Sequence, residues 1–581
     1  MFCNVVSEYE RFPKGGCMKF KDFPYTRPDI EKMKNDFTAF VEAFSKAETF
    51  EEQDAIMKKI YAIRAEFSTL SNIASVRNTI DTTDSFYDAE REFFDENGPV
   101  FQGLVTDFYK ALTRSKFRSQ LEHTYGKHLF DLADAALQTF KPEILEDLQK
   151  ENQLTSEYVK LMASIKVIFD GKEMTLSGIG PYRESKDRAV RKAAAETQFN
   201  AIAEHREKLD SLYHELVQIR ASIAQKLGFN SFVELGYKRM SRTDYDAAMV
   251  ANFRSQVRDH IVPIATELRK RQAKRIGVDV LKYYDEPFNF TSGNAQPHGE
   301  PDWIINNGKK MYKELSPETD EFFTFMTDNE LMDLLNKKGK AGGGYCTYFE
   351  NYQSPFIFSN FNGTSGDVDV LTHEAGHAFQ VYMSRHFPVS EYYWGTYETS
   401  EIHSMSMEFF TWPWMDLFFE DEADKYRFSH MEGALLFIPY GVAVDEFQHY
   451  VYENPAVTPE ERRKKWLALE KVYLPWRVYE NIDYLEQGGF WQRQAHIYEV
   501  PFYYIDYTLA QICALQFWKR SREDRNVAWN DYVRLCAYGG SAPFQTLVQK
   551  SGLISPFADG CVKSVVGEIS AWLNSIDDSK F

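Results

Sequence analysis

His373-Glu374-Ala375-Gly376-His377 sets two imidazoles four residues apart, with a carboxylate directly after the first. On an α-helix, positions i and i+4 project from one face a turn apart, so both rings can reach one tetrahedral Zn²⁺. Glu374, one position along, then points beside the metal at the water it would hold, where a general base is needed. A catalytic zinc takes three protein ligands and keeps one position open. Four later glutamates are of the right type: Glu391, Glu398, Glu401 and Glu408. The stretch 397–410 reads as a helix on which Glu401 and Glu408 share a face, and spacing alone leaves the choice among the four open.

Two further stretches carry candidate chemistry. His496 is followed by Pro501-Phe502-Tyr503-Tyr504-Ile505-Asp506-Tyr507. A helix from Pro501 to about Lys519 would line phenols along one side, as Tyr503 and Tyr507 are four apart and Tyr504 and Tyr507 three. Such a stripe reads first as aromatic core. Upstream, residues 337–345 are glycine-rich without matching a phosphate loop, so they form either a flexible connector or a loop that moves over a substrate. Residues 355–361, with Phe356, Ile357 and Phe358, read as a strand whose edge could pair with an extended peptide. Cys346 lies beside the glycines with no histidine motif near it in sequence, and reads as a bystander.

The elements that must position these groups are mostly helical. Amphipathic periodicity predicts helices over Asp29–Ser45, Phe50–Leu70, Glu90–Ser115 and Pro142–Lys150, and further long helices from Ser185 to Leu227. Ile165–Leu176 alternates, turns at Asp170-Gly171 and alternates again, as a β-hairpin does. A loop is expected over Tyr283–Pro301. With 581 residues the chain exceeds one ordinary core, so two or more lobes are expected.

A net charge of −19 disfavours nucleic acid and anionic membranes as partners. The dense basic run, residues 269–275, reads as a solvated helix end. No apolar stretch is long enough for a membrane span, and no secretory signal is visible. Six scattered cysteines, including Cys3 and Cys17, fit reduced thiols and a cytoplasmic location.

Taken together, His373-Glu374-Ala375-Gly376-His377, Glu401-Ile402-His403-Ser404 and Glu408 resemble the zinc oligopeptidases of the oligoendopeptidase F and thimet oligopeptidase type. Phe20-Lys21-Asp22-Phe23-Pro24-Tyr25 and the His496–Tyr507 segment are similar to further parts of that family, which makes residues 1–17 an extension. The resemblance implies that Glu401, 24 residues after His377, is the third ligand of one zinc ion per chain. It implies that Glu408 orients a ligand imidazole. His403, two positions on from Glu401, should face away from the metal and reads as a packing or surface histidine. His496, Tyr503, Tyr504 and Tyr507 become candidates to stabilise the oxyanion. Gly343, Gly344, Phe356, Ile357 and Phe358 become candidates to bind substrate.

The fold implied is mainly α: a two-lobed helical metallopeptidase with a deep central cleft and a small β element near the zinc helix. Residues 1–180 would form an N-terminal helical region and 181–581 the catalytic region. The expected activity is endopeptidase cleavage of unstructured oligopeptides. The alternatives are an exopeptidase using the same site, or a zinc-stabilised peptide-binding protein. Oligomeric state is left open, a monomer being compatible with the sequence.

Overall fold

The computed structural model describes residues 18–581 apart from Ser177 and Lys338. The proposed extension with Cys3 and Cys17, and Lys338 of the glycine-rich stretch, lie outside the described residues. Helix dominates, and the sheets are small. The hairpin forms as expected: β1 (Lys166–Phe169) pairs antiparallel with β2 (Lys172–Thr175), turning at Asp170 and Gly171, both at positive φ. A second sheet has three strands in the order β3–β5–β4, with β3 at Met332–Leu335, β4 at Tyr345–Phe349 and β5 at Ser354–Phe361. β5 runs parallel to β3 and antiparallel to β4.

The chain divides into two compact units. The first comprises Met1–Asp134, Pro297–Gly395 and Val533–Ala542. Its helices α1 (Ile30–Lys46), α2 (Phe50–Ile80) and α3 (Ser85–Thr113) pack on one another. Asp29 caps α1 through the Lys32 amide at 3.0 Å, and Thr49 and Glu52 form a capping box on α2. α2 runs ten residues beyond the expected end at Leu70, because Ile73, Ala74 and Val76 continue its buried face. The three-stranded sheet and α4 (Gly366–Ser384) belong to the same unit, with α4 lying on β4 and β5.

The second unit comprises Ala135–Gln296, Thr396–Tyr532 and Pro543–Phe581. It contains the hairpin and three helices that matter below: α5 (Tyr397–Phe410), α6 (Ala423–Glu453) and α7 (Tyr504–Glu523). α5 and α6 both pack along α7, whose residues from Tyr504 to Trp518 are nearly all buried.

Three expectations are corrected. Residues 142–150 form a 3₁₀ turn, Pro142–Ile144, followed by a helix running from Leu145 to Ser164. The arginines of the basic run are not a solvated helix end. Arg271 donates to the carbonyls of Leu573 and Ile576, and Arg275, 4% exposed, pairs with Glu432 at 2.8 Å. They tie the C-terminal segment down, while Lys270 and Lys274 face solvent. The helix expected from Pro501 begins only at Tyr504, because Phe502 sits at φ +70° and cannot belong to a right-handed turn.

Candidate metal centre and active site

The turn before α4 is closed by Asp367, which accepts hydrogen bonds from the amides of Asn362 and Gly363, both at 2.8 Å. Asp367 and Asp369 place negative charge in the first helical turn, where the helix dipole favours it. α4 then carries His373 and His377 on one face, their ring centroids 5.0 Å apart and their planes nearly perpendicular. Both rings are half-buried, and Glu374 between them is buried.

Gly344 lies beside that carboxylate: a Cβ there would sit 3.7 Å from Glu374 Oε1 and 3.4 Å from the Phe358 carbonyl. The glycine-rich stretch is anchored rather than loose. Asn360 of β5 donates to the carbonyls of Ala341 and Gly343 at 2.8 and 2.9 Å, and the Ala341 amide bonds the Thr79 carbonyl. The Cys346 thiol is pushed well above its ordinary range, first by burial and then by the Glu374 charge. A protonated thiol there is a poor nucleophile, in keeping with the bystander reading.

The four candidate glutamates have distinct surroundings. Glu391 accepts from Arg64 at 2.6 Å, Tyr61 at 2.8 Å and Tyr109 at 2.6 Å, and the buried guanidinium keeps its carboxyl ionised despite burial. Glu398 accepts from the Thr396 hydroxyl at 2.8 Å, fully buried, and burial pushes its pKa up. Glu408 meets the His430 ring at 2.7 Å, and the Trp412 indole donates to the other nitrogen of that ring. Among the described residues, one group of three side chains could hold a metal ion: His373, His377 and Glu401, with ligand atoms within 4.8 Å of one another. Two imidazoles and one carboxylate are a donor set that suits Zn²⁺.

Both oxygens of Glu401 are held. Tyr503 donates to Oε1 at 2.6 Å and Ser404 to Oε2 at 3.1 Å. Burial first, then the Glu401 charge, raises the Tyr503 pKa, so the phenol stays protonated and remains a donor. Tyr507 packs one turn on, its tilted ring centred 4.8 Å from that of Tyr503. Tyr504 departs from the pair: its ring is buried and packs on Phe437 and Tyr440 of α6, as a core aromatic does.

His496 faces Tyr507, with Nε2 3.4 Å from the phenol oxygen. The Tyr440 hydroxyl donates to Gln494 Oε1 at 3.0 Å, which turns the Gln494 amide nitrogen toward His496 Nδ1 at 2.8 Å. Nδ1 therefore accepts, and the proton of the neutral ring resides on Nε2, facing Tyr507. Burial lowers the His496 pKa, which favours that neutral form. Sequence reasoning missed Gln494 and Tyr440. Gln494, two residues before His496, was within reach of local inspection, whereas Tyr440 meets it only through the packing of α6.

The expected substrate strand is also altered. β5 is the central strand, paired on both sides, and the side chains of Phe356, Ile357 and Phe358 are buried. The edges of this sheet are β3 and β4. β5 is buried at nearly every position, its polar Ser354 and Ser359 included, as befits a strand covered on both faces. His403, in turn, is fully buried, and its carbonyl accepts from the Tyr532 hydroxyl at 2.8 Å.

This arrangement is that of a metallopeptidase. The chain belongs to peptidase family M3: residues 20–140 match the Peptidase M3 N-terminal domain, and residues 182–301 and 314–566 match Peptidase family M3 itself. It is 62% identical to Pz peptidase A, solved with an inhibitor, covering 97% of this chain and all of that one at a TM-score of 0.94. A structure from Bacillus anthracis assigned to oligoendopeptidase F is 59% identical over 97% of this chain and 99% of its own, with a TM-score of 0.90. The oligoendopeptidase F homolog of Borreliella burgdorferi is 21% identical over 420 residues, 68% of each chain. The protein is thus a hydrolase of peptide bonds. No helix among the described residues is long and apolar enough to cross a membrane.

Proposed function

We propose that the chain is a zinc-dependent endopeptidase acting on short, unstructured oligopeptides, and that His373, His377 and Glu401 hold one zinc ion. The observation that carries this reading is the convergence of those three ligand atoms within 4.8 Å, with Glu374 next to the first histidine on the same helix. Zinc held there supplies Lewis-acid activation of water and of the scissile carbonyl.

Glu374 takes the proton from the attacking water and passes it to the leaving amine. Tyr507 and His496 donate to the oxygen on which charge develops. One such donor lowers a barrier by about 3 kcal/mol. Tyr503 and Ser404 hold Glu401, and Glu408 lies in the surrounding layer, paired with His430. Tyr504 supports the phenol pair from the core. Gly343 and Gly344 give a peptide backbone close access beside Glu374, since a Cβ at 344 would already stand in van der Waals contact with Glu374 Oε1. The edge of β4 that starts there suits main-chain pairing with an extended peptide, and Phe356, Ile357 and Phe358 hold that strand in place from behind.

Digesting a library of peptides of graded length and reading the products by mass spectrometry tests the proposal. Internal cuts in short peptides, none in folded proteins, and loss of cleavage with a chelator followed by recovery with Zn²⁺ are expected. A ladder of single-residue losses from one end assigns an exopeptidase instead, and intact peptides throughout assign a binding protein.

A further inference from the structure

Phe502, the residue before Tyr503, has φ +70°, a conformation that bulky L-residues rarely adopt and that persists where the surroundings over-determine it. Here they do. Its amide donates to Gln448 Oε1 of α6 at 3.0 Å. Its carbonyl accepts from Arg242 Nη2 at 2.6 Å, and the same nitrogen reaches Asp506 Oδ1 at 2.7 Å. The Arg242 side chain is wholly buried, as is Gln448. The Phe502 ring lies against bare backbone: a Cβ on Gly236 would come within 2.6 Å of it. His449, Tyr452 and Tyr237 close round the remaining faces. Three separate elements thus spend buried polar groups and a missing side chain on one unfavourable turn, and the residue that follows it bonds Glu401.

We propose that Arg242, Gln448 and Gly236 are positioning residues, holding Phe502 in its left-handed turn and thereby aiming the Tyr503 phenol at Glu401. The inference rests on reading Glu401 as a zinc ligand steadied by Tyr503. With Phe502 released to an ordinary φ, the peptide entering Tyr503 rotates and the phenol leaves Oε1. Glu401 then loses the bond that fixes Oε1, which weakens its grip on a cation as well as its part in turnover. A clamp that served folding alone would lower thermal stability without acting through Tyr503.

A double-variant cycle on the full chain separates these. Zinc affinity, measured by competition with a chromogenic chelator, and kcat are compared for the parent, Gln448→Met, Tyr503→Phe and the combination. Outer groups that orient a ligand typically account for ten- to hundredfold in metal affinity or activity, so a loss of about that size is expected in each single variant. The double variant should fall no further than Tyr503→Phe alone. Losses that multiply, or a Gln448→Met protein with the parent's affinity and kcat beside a weakened Tyr503→Phe, overturn the clamp while leaving the Glu401–Tyr503 pair standing. A Tyr503→Phe protein equal to the parent overturns the pair itself, and the clamp with it. Should Gln448→Met not accumulate folded, Gly236→Ala carries the same cycle, because its methyl displaces the Phe502 ring without touching a polar group.

Discussion

Tyr503 and Glu401 stand 102 positions apart in sequence and are joined by a 2.6 Å hydrogen bond from phenol to carboxylate. Three residues from each, on α5 and α7, Glu398 and Asp506 form a buried acidic pair, both pushed toward the protonated state, first by burial. The two pairs predict opposite responses to loss of charge. Glu401→Gln removes an anionic ligand and should leave the purified protein without stoichiometric metal after gel filtration. Glu398→Gln replaces a carboxyl that burial already drives toward neutrality, and should retain metal at the parent level. Elemental analysis of both proteins reads the difference, and equal metal content in the two would exchange or abolish the ligand assignment.

Glu374→Gln isolates the proton transfer. The amide keeps the shape and burial of the side chain but cannot accept a proton, so turnover of a quenched fluorescent peptide should fall by about 10²–10⁴-fold. Metal content and thermal midpoint should stay at parent values. Substantial residual turnover with metal bound would remove the general-base role.

The candidate histidine pair was legible in sequence because its members lie one helical turn apart, and 397–410 carries a helical pattern matched by α5 to its ends. The choice of Glu401 among four glutamates came from the family resemblance, since no local spacing separates them. Secondary structure was read well where a local turn or cap marked it, as in the hairpin at Asp170-Gly171 and the start of α2. Long-range packing was not. Nothing in the spacing of Arg269–Arg275 foretold that its arginines bind the carbonyls of Leu573 and Ile576 and the buried Glu432. The apolar run in β5 gave no hint of which side would be paired, and it proved to be paired on both. Pro501 pointed correctly to a helix start nearby, but the left-handed Phe502 delays it by three residues, a conformation set by Arg242 and Gln448 from elsewhere in the chain.

Arg275 gives a prediction about stability. Its guanidinium, 4% exposed, serves Glu432 at 2.8 Å and Asp578 at 2.5 Å. Arg275→Met would strand the Glu432 charge in the interior, and breaking such a pair from one side costs about 3–5 kcal/mol. Replacing both partners, Arg275→Met with Glu432→Leu, removes the stranded charge and should recover much of that loss. Thermal and denaturant unfolding of the single and double variants measure the difference. A double variant no better than Arg275→Met would mean that the arginine acts through Asp578 and the C-terminal segment instead.

His128 sets an acid limit on the first unit. The ring is 7% exposed, lies parallel to Tyr392, and its Nδ1 has no hydrogen-bond partner among the described residues. Burial brings its pKa down from 6.5 to about 4, against a small opposing pull from Asp131. The folded state therefore binds the proton less readily than the unfolded chain between those values. The associated stability is fully present above pH 6.5, falls as the pH drops below it, and stops falling near pH 4, where both states are protonated. The difference in pKa corresponds to about 3 kcal/mol. His128→Gln cannot titrate, so its unfolding free energy should fall less than the parent's over that window, by about that amount. Denaturant unfolding at the two ends of the window tests this directly, since identical pH dependence in parent and variant would mean that the buried ring takes up its proton without opposing the fold.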